Sequence, residues 1–229
     1  MRTLVRDPEV EYEEELELEA ELEAEFESPA FRLACPAGCT VGGRNLGPAA
    51  CQATLRQDIT RAVGFANRAA ALLEASPRTS PTSRIYLQIF GHRPQRAVPW
   101  APGHDSGAIT ARRFRMAADS LTRRVIHFIC QPQAGFPSTN AAVPFNNAAG
   151  RPNRTDIWLF PQYWGNSAAL RAGILVHETL HLIFLPMIVD QDTATARRVN
   201  AHCYEWLVVR LNGHTPDPAD FTACRMTPP

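Results

Sequence analysis

The sequence predicts an α+β fold, and three observations carry that prediction. Apolar residues recur at helical spacing over Cys51–Ala75 and again over Ile109–Arg124. Short apolar segments bounded by turn-formers, Val125–Cys130 and Asp156–Phe160, read as strands. Two further helical segments, about Ser167–Leu185 and about Thr193–Leu211, close the chain. Helices, then short strands, then helices is the order of an α+β domain.

Each element follows from its own residues. Glu9 to Glu27 alternates glutamate with apolar residues at strand period, but so many like charges repel one another. A disordered acidic tail is therefore expected over residues 1–28. Pro29–Gly47 is rich in Gly, Pro and Cys and reads as a linker or a small disulfide-tied loop, which divides the chain into a tail (1–28), a linker (29–48) and a domain (49–229). In the first helix Leu55, Ile59, Val63, Ala66, Ala70 and Leu73 form the apolar stripe. Arg84–Gly91 reads as a strand or short buried segment, and Gln131–Asn153 as an Asn/Pro/Gly-rich loop. Pro161 directly follows Asp156–Phe160, and a proline lacks the ladder donor, so this strand is expected at a sheet edge. A turn at Pro186 separates the last two helices.

Bulk composition bounds the partners. Of 229 residues 45% are hydrophobic, ample for a core. No apolar run approaches a membrane span, and the N-terminus lacks the apolar region of a secretory signal. The formal net charge of zero conceals an asymmetry: residues 7–27 hold 12 of the 23 acids, so from Ser28 onward 21 arginines face 11 acids. The chain is a basic globule, at about +10, with an acidic tail. The tail is expected to mask the globule, to load onto a bacterial export apparatus, or simply to solubilise. Six cysteines with no metal-type C-x-x-C pair suggest up to three disulfides and an oxidising destination, reached without a signal peptide. No nucleic-acid partner is expected.

The chemistry concentrates in His177-Glu178-Thr179-Leu180-His181. On a helix, positions i and i+4 share a face, so both imidazoles reach one metal ion. Glu178 sits beside that face and is placed to take a proton from a metal-bound water without ligating the metal. The apolar flanks Ala172–Val176 and Leu182–Leu185 make two histidines and a glutamate costly to bury without a partner. The pattern points to Zn²⁺ and a protein or peptide substrate.

From about Cys51 to Leu211 the chain resembles the deuterolysin-like aspzincin metallopeptidases, which include the peptidyl-Lys metalloendopeptidases. The resemblance is carried by the first helix, Tyr86…Phe90-Gly91, Val125…Phe128-x-Cys130, Ile157-Trp158-Leu159-Phe160-Pro161-Gln162-Tyr163-Trp164, Arg171–Glu178 and Asn200-Ala201-x-x-x-Glu205-Trp206. It implies a zincin-like metallopeptidase domain with the H-E-x-x-H motif on its active-site helix and a small edge-stranded sheet. It also implies a zinc endopeptidase in which Glu178 is the general base, with the substrate extended along Asp156–Phe160. Trp158 and Glu205 are the implied substrate contacts. In the lysine-directed members an Asp and a Glu on the last helix receive the substrate ammonium; here Glu205 remains and His202 replaces the Asp. All 23 basic residues are arginine. A GC-rich coding bias accounts for this, and a lysine-directed peptidase sparing itself is the sharper account. The resemblance further implies a Cys51–Cys130 bridge, with Cys35–Cys39 and Cys203–Cys224 as the remaining pairs.

The third metal ligand stays open. The family's ligand is an Asp in a G-T-x-D-x-x-Y-G motif; this chain reads Val189-Asp190-Gln191-Asp192-Thr193 there, without the glycines and tyrosine. Asp190 and Asp192 stand at the right distance but also make good helix N-caps. His202 is the rival and the preferred ligand. A short turn at Pro186 would run the last helix back beside the first, bringing His202, about 13 Å along it, level with His177. The alternative to a peptidase is a catalytically inactive zincin-fold binding module or exported effector.

Overall fold

The computed structural model describes residues 31–99, 101–132, 140–146, 151–152, 155–185, 187–188, 190 and 197–226. The acidic tail and Asp192 lie outside them. The architecture is α+β. In chain order it runs β1 (Arg32–Ala34), β2 (Cys39–Val41), β3 (Arg44–Leu46), α1 (Pro48–Glu74), α2 (Ser80–Phe90), α3 (Ser106–Arg123) and β4 (His127–Cys130). There follow β5 (Ala141–Ala142), β6 (Phe145–Asn146), β7 (Arg151–Pro152), β8 (Asp156–Leu159), α4 (Pro161–Gly165), α5 (Ala168–Phe184), a 3-10 turn (Arg197–Val199), α6 (Ala201–Leu211) and α7 (Pro218–Met226). No helix among the described residues is long and apolar enough to cross a membrane.

Helix α1 forms where expected and is the central support. Gly47 and Pro48 start it, and Cys51, Leu55, Ile59, Ala62, Ala66, Ala69, Ala70 and Leu73 bury one face. That face packs on α3 and α5. Helix α3 begins three residues before its expected start because Asp105 caps it, accepting from the Ala108 N–H at 2.8 Å.

Residues 84–91 are helical, which overturns the strand reading. The buried set is Thr82, Tyr86, Ile89 and Phe90, at helical spacing. Leu87 stays 42% exposed. The ends carry the decisive signals: Thr79 accepts from the Thr82 N–H, Pro81 occupies the first turn, and Gly91 stops the helix at φ 75°.

The main sheet has the order β1-β4-β8-β5, with β1, β4 and β8 parallel and β5 antiparallel to β8. This corrects the edge assignment of Asp156–Phe160. Pro161 falls after the strand, in the first turn of α4, so it removes no ladder donor, and β8 lies between two neighbours. The antiparallel two-residue β5 is the outer strand on that side among the described residues.

The Pro29–Gly47 stretch is tied by disulfides, but it also builds structure. Its β1 completes the other side of the sheet, and β2 and β3 form a hairpin turned by Gly42 and Gly43 at φ 55° and 77°. The bridges are Cys35–Cys130, Cys39–Cys51 and Cys203–Cys224. The last was expected; Cys51–Cys130 and Cys35–Cys39 are not formed. The cause is register. Ala34 pairs with Ile129, so the next residue along each parallel strand is Cys35 beside Cys130, and Cys39 is left to the start of α1. Three bridges fit an oxidising compartment.

Candidate metal centre

The site is built on α5, whose residues from Arg171 to Phe184 are all buried. Ser167 caps its start, accepting from the Leu170 N–H at 3.3 Å. A buried network then fixes the helix. Arg171 donates to Asp58 of α1 through Nε at 2.6 Å and Nη2 at 3.1 Å, and the Tyr163 hydroxyl donates to the same carboxylate at 3.1 Å. Burial pushes the Asp58 pKa up, with Arg171 drawing it back. The sequence reading missed this anchor. Its signal was an aspartate inside the apolar stripe of α1 facing an arginine in an otherwise apolar helix.

Gly173 sets how closely α6 approaches. A Cβ there would lie 2.5 Å from Val209 Cγ2 and 3.4 Å from Glu205 Cγ, so only a glycine admits this contact. One turn on, the approach delivers α6 side chains to His177. Glu205 Oε2 stands 2.9 Å from His177 Nδ1, an ion-pair contact rather than a straight hydrogen bond, and the His177 and His202 rings are 4.7 Å apart. Asn200 caps α6, accepting from the His202 N–H at 3.0 Å.

His177 and His181 come together as the motif requires, Nε2 to Nε2 at 3.0 Å. His181 Nδ1 is held by the Ile188 carbonyl at 3.0 Å, which directs its Nε2 lone pair into the cluster. Asp190 enters from the segment after α5. Its Oδ1 lies 3.2 Å from His181 Nε2, 3.3 Å from His177 Nε2 and 3.5 Å from His202 Nε2. Tetrahedral ligands on bonds of about 2.0–2.1 Å stand roughly 3.3–3.4 Å apart, so these spacings suit one small cation. Two overlapping groups could hold a metal ion: His177, His181 and Asp190, or His177, His202 and Glu205.

The electrostatics agree with a cation site. Burial opposes charge on His177, yet Asp190, Glu205 and Glu178 outweigh it and hold its pKa well above the usual imidazole value. Burial would raise Asp190, but His177 and His181 hold it far below the carboxylate range. Burial raises Glu178, and the nearby imidazoles oppose that rise. Glu178 Oε1 lies 3.9 Å from His177 Nε2, while Oε2 has no hydrogen-bond partner among the described residues. A buried carboxylate oxygen beside a donor cluster, without a protein partner, fits a metal and its water.

The other expected site residues fall differently. Glu205, expected to meet substrate, is 4% exposed and engaged at His177. Trp158 stands half-buried on β8 beside Ile129 of β4, on the opposite face of the strand from the buried Ile157 and Leu159. Asp192 lies outside the described residues. No protein-family model matches the chain, and no curated protein matches it.

Proposed function

We propose that the chain is an exported zinc-dependent endopeptidase of zincin-type architecture, with His177, His181 and Asp190 holding the ion. The observation that carries this reading is the convergence of His177 Nε2, His181 Nε2 and Asp190 Oδ1 within 3.0–3.3 Å, beside a Glu178 carboxylate oxygen with no hydrogen-bond partner among the described residues. A zinc ion held there supplies an acidified water and polarises a peptide carbonyl. Glu178 takes the proton of the attacking water and delivers it to the leaving amine. Its buried position keeps that proton from bulk solvent between the two transfers. Glu205 and the Ile188 carbonyl orient His177 and His181, so Glu205 serves the histidine and a lysine preference is not part of the proposal. The Asp190 side chain is 54% exposed and that of His202 26%, so substrate enters from their side. An extended peptide would pair with β5, since β8 is flanked on both sides.

The test is Glu178→Gln. Zinc stoichiometry should stay at one per chain while hydrolysis of a casein substrate falls about 10²–10⁴-fold. Loss of the metal, or unchanged hydrolysis, removes Glu178 from this role.

One observation favours a second reading. His202 Nε2, 3.5 Å from Asp190 Oδ1, is close enough to become a fourth protein ligand. Four protein ligands close a zinc site and make it structural, as in a binding module. X-ray absorption on the zinc-loaded chain separates the two: a coordinated water supports the peptidase, and four protein donors with no water support the module.

A further inference from the structure

The outer strand of the sheet and the helix of the histidine motif are tied together through Asn140, which immediately precedes β5. The Asn140 carbonyl accepts from the Phe160 N–H at 3.0 Å, one rung beyond the Ala141–Leu159 and Ala142–Trp158 pairs. Antiparallel rungs alternate between hydrogen-bonded and non-hydrogen-bonded pairs. The Asn140–Phe160 rung is bonded, so Ala141 turns its N–H and C=O away from β8, toward the outer side of the sheet. A peptide lying along β5 would meet those two main-chain groups.

A strand of two residues has a short ladder to hold it in place, and the Asn140 side chain adds a second hold. Its Oδ1 accepts from Asn166 Nδ2 at 2.7 Å. Asn166 stands between α4 and α5, where the same Nδ2 also donates to the Gln162 carbonyl at 3.0 Å. The Asn166 carbonyl in turn accepts from Arg171 Nη1 at 2.7 Å, and Arg171 grips the buried Asp58. Arg171 lies on α5, the helix that carries His177, Glu178 and His181. Hydrogen bonds therefore run from β5 through Asn166 to that helix and on to α1. Asn140 is bonded to Phe160 and Asn166 rather than to the histidine cluster, so it can act on the chemistry only through the placement of β5.

We propose that Asn140 is a positioning residue for the peptide substrate. Its bond to Asn166 sets the distance and register of the Ala141 main chain relative to α5. A peptide paired with β5 then presents its scissile carbonyl to the ion and to Glu178. The proposal rests on the peptidase reading. Rates are sensitive to such placement, since a displacement of about 1 Å by a remote substitution can cost about a hundredfold.

The test compares Asn140→Leu, which removes the acceptor, with Asn140→Asp, which keeps it. For a fluorogenic peptide long enough to span β5, Asn140→Leu should lower kcat/KM about tenfold or more. Zinc affinity should change less than about twofold, and Asn140→Asp should stay within about threefold of the native rate. Binding is read separately by fluorescence anisotropy on the Glu178→Gln chain. There, N-methylation of the one substrate residue that pairs with Ala141, away from the scissile bond, should weaken the peptide about fivefold or more. That penalty should shrink below about twofold when Asn140→Leu is added. Four results would overturn the positioning role alone: an undiminished rate in Asn140→Leu, Asn140→Asp as slow as Asn140→Leu, a matching loss of zinc affinity, or no methylation penalty in the Glu178→Gln chain. The last does not depend on how Asn140→Leu folds. Absence of hydrolysis by the zinc-loaded native chain would instead overturn the peptidase reading, and this proposal with it.

Discussion

The two halves of the candidate metal cluster are built in opposite ways. His177, Glu178 and His181 sit on a helix buried over its last three turns, each ring braced by a named partner. Asp190 and His202 come from outside that helix and are more exposed, Asp190 at 54% and His202 half-buried at 26%. The first half is preset by folding, while the second draws Asp190 from the segment after α5 and His202 from the first turn of α6. Donors on a buried helix lose little freedom on binding, whereas exposed donors must be ordered when the ion arrives. Affinity should therefore be concentrated in the helix half.

That asymmetry is open to direct test. The largest effect is expected from His181→Ala. If about 10–16 kcal/mol of zinc binding is shared among roughly four donors, losing one should cost a hundredfold or more in affinity. His202→Ala should cost tenfold or less, with Asp190→Asn between them, all read by competition with a chromophoric chelator. Equal losses across the three would erase the distinction between the halves.

Glu205→Gln sharpens the comparison from behind the ligand. It keeps the side-chain shape but removes the charge beside His177 Nδ1. Affinity should fall about 10–100-fold, the usual range for an orienting partner, with little change in folding stability. A variant with unaltered zinc affinity would return Glu205 to the substrate-contacting role expected from the sequence.

Gly173→Ala addresses the spacing of the helices. Its Cβ would meet Val209 Cγ2 at 2.5 Å, and overpacking of this kind costs about 1–3 kcal/mol. A lower denaturation midpoint with weakened zinc binding is expected. Weakened binding should disappear in the double variant with Val209→Ala, which restores the space.

The smallest effect concerns the anchor of α5. Burial, and then the Asp58 charge, raise the Tyr163 pKa well above its ordinary 10.0, and burial raises Tyr86 as well. A raised folded pKa contributes stability that is complete below the unfolded value and is lost as pH rises through the folded one. Stability should be flat up to about pH 10 and fall above it, with phenolate absorbance of these two residues appearing together with unfolding. Smooth titration of all four tyrosines in the folded chain would contradict it.

What the sequence revealed follows the same division. His177, Glu178 and His181 were readable because a helix converts sequence spacing directly into spatial proximity. Asp190 was named among the third-ligand alternatives, but no periodicity governs a connecting segment, so distance along the chain could not rank it against His202. Glu205 was named from the sequence, but its 2.9 Å approach to His177 was not legible there, because it depends on how near Gly173 lets α6 come. Residues 84–91 read as a strand or short buried segment because the helix's start, capped by Thr79, lies upstream of the apolar residues that drew attention. β1 was missed because three residues in a Gly/Pro/Cys-rich stretch carry no pattern until a parallel neighbour pairs with them.

The Cys203–Cys224 bridge joins α6, the bearer of His202 and Glu205, to α7 across 21 residues. Closing such a loop removes chain freedom worth about 3 kcal/mol. If the chain is the proposed zinc peptidase, a thiol reductant would inhibit by two routes, stripping the ion from its donors and loosening the helix that presents them. Added zinc reverses the first and leaves the second, so the residual inhibition at saturating zinc reads how far the sulfur bond steers the imidazole and the carboxylate.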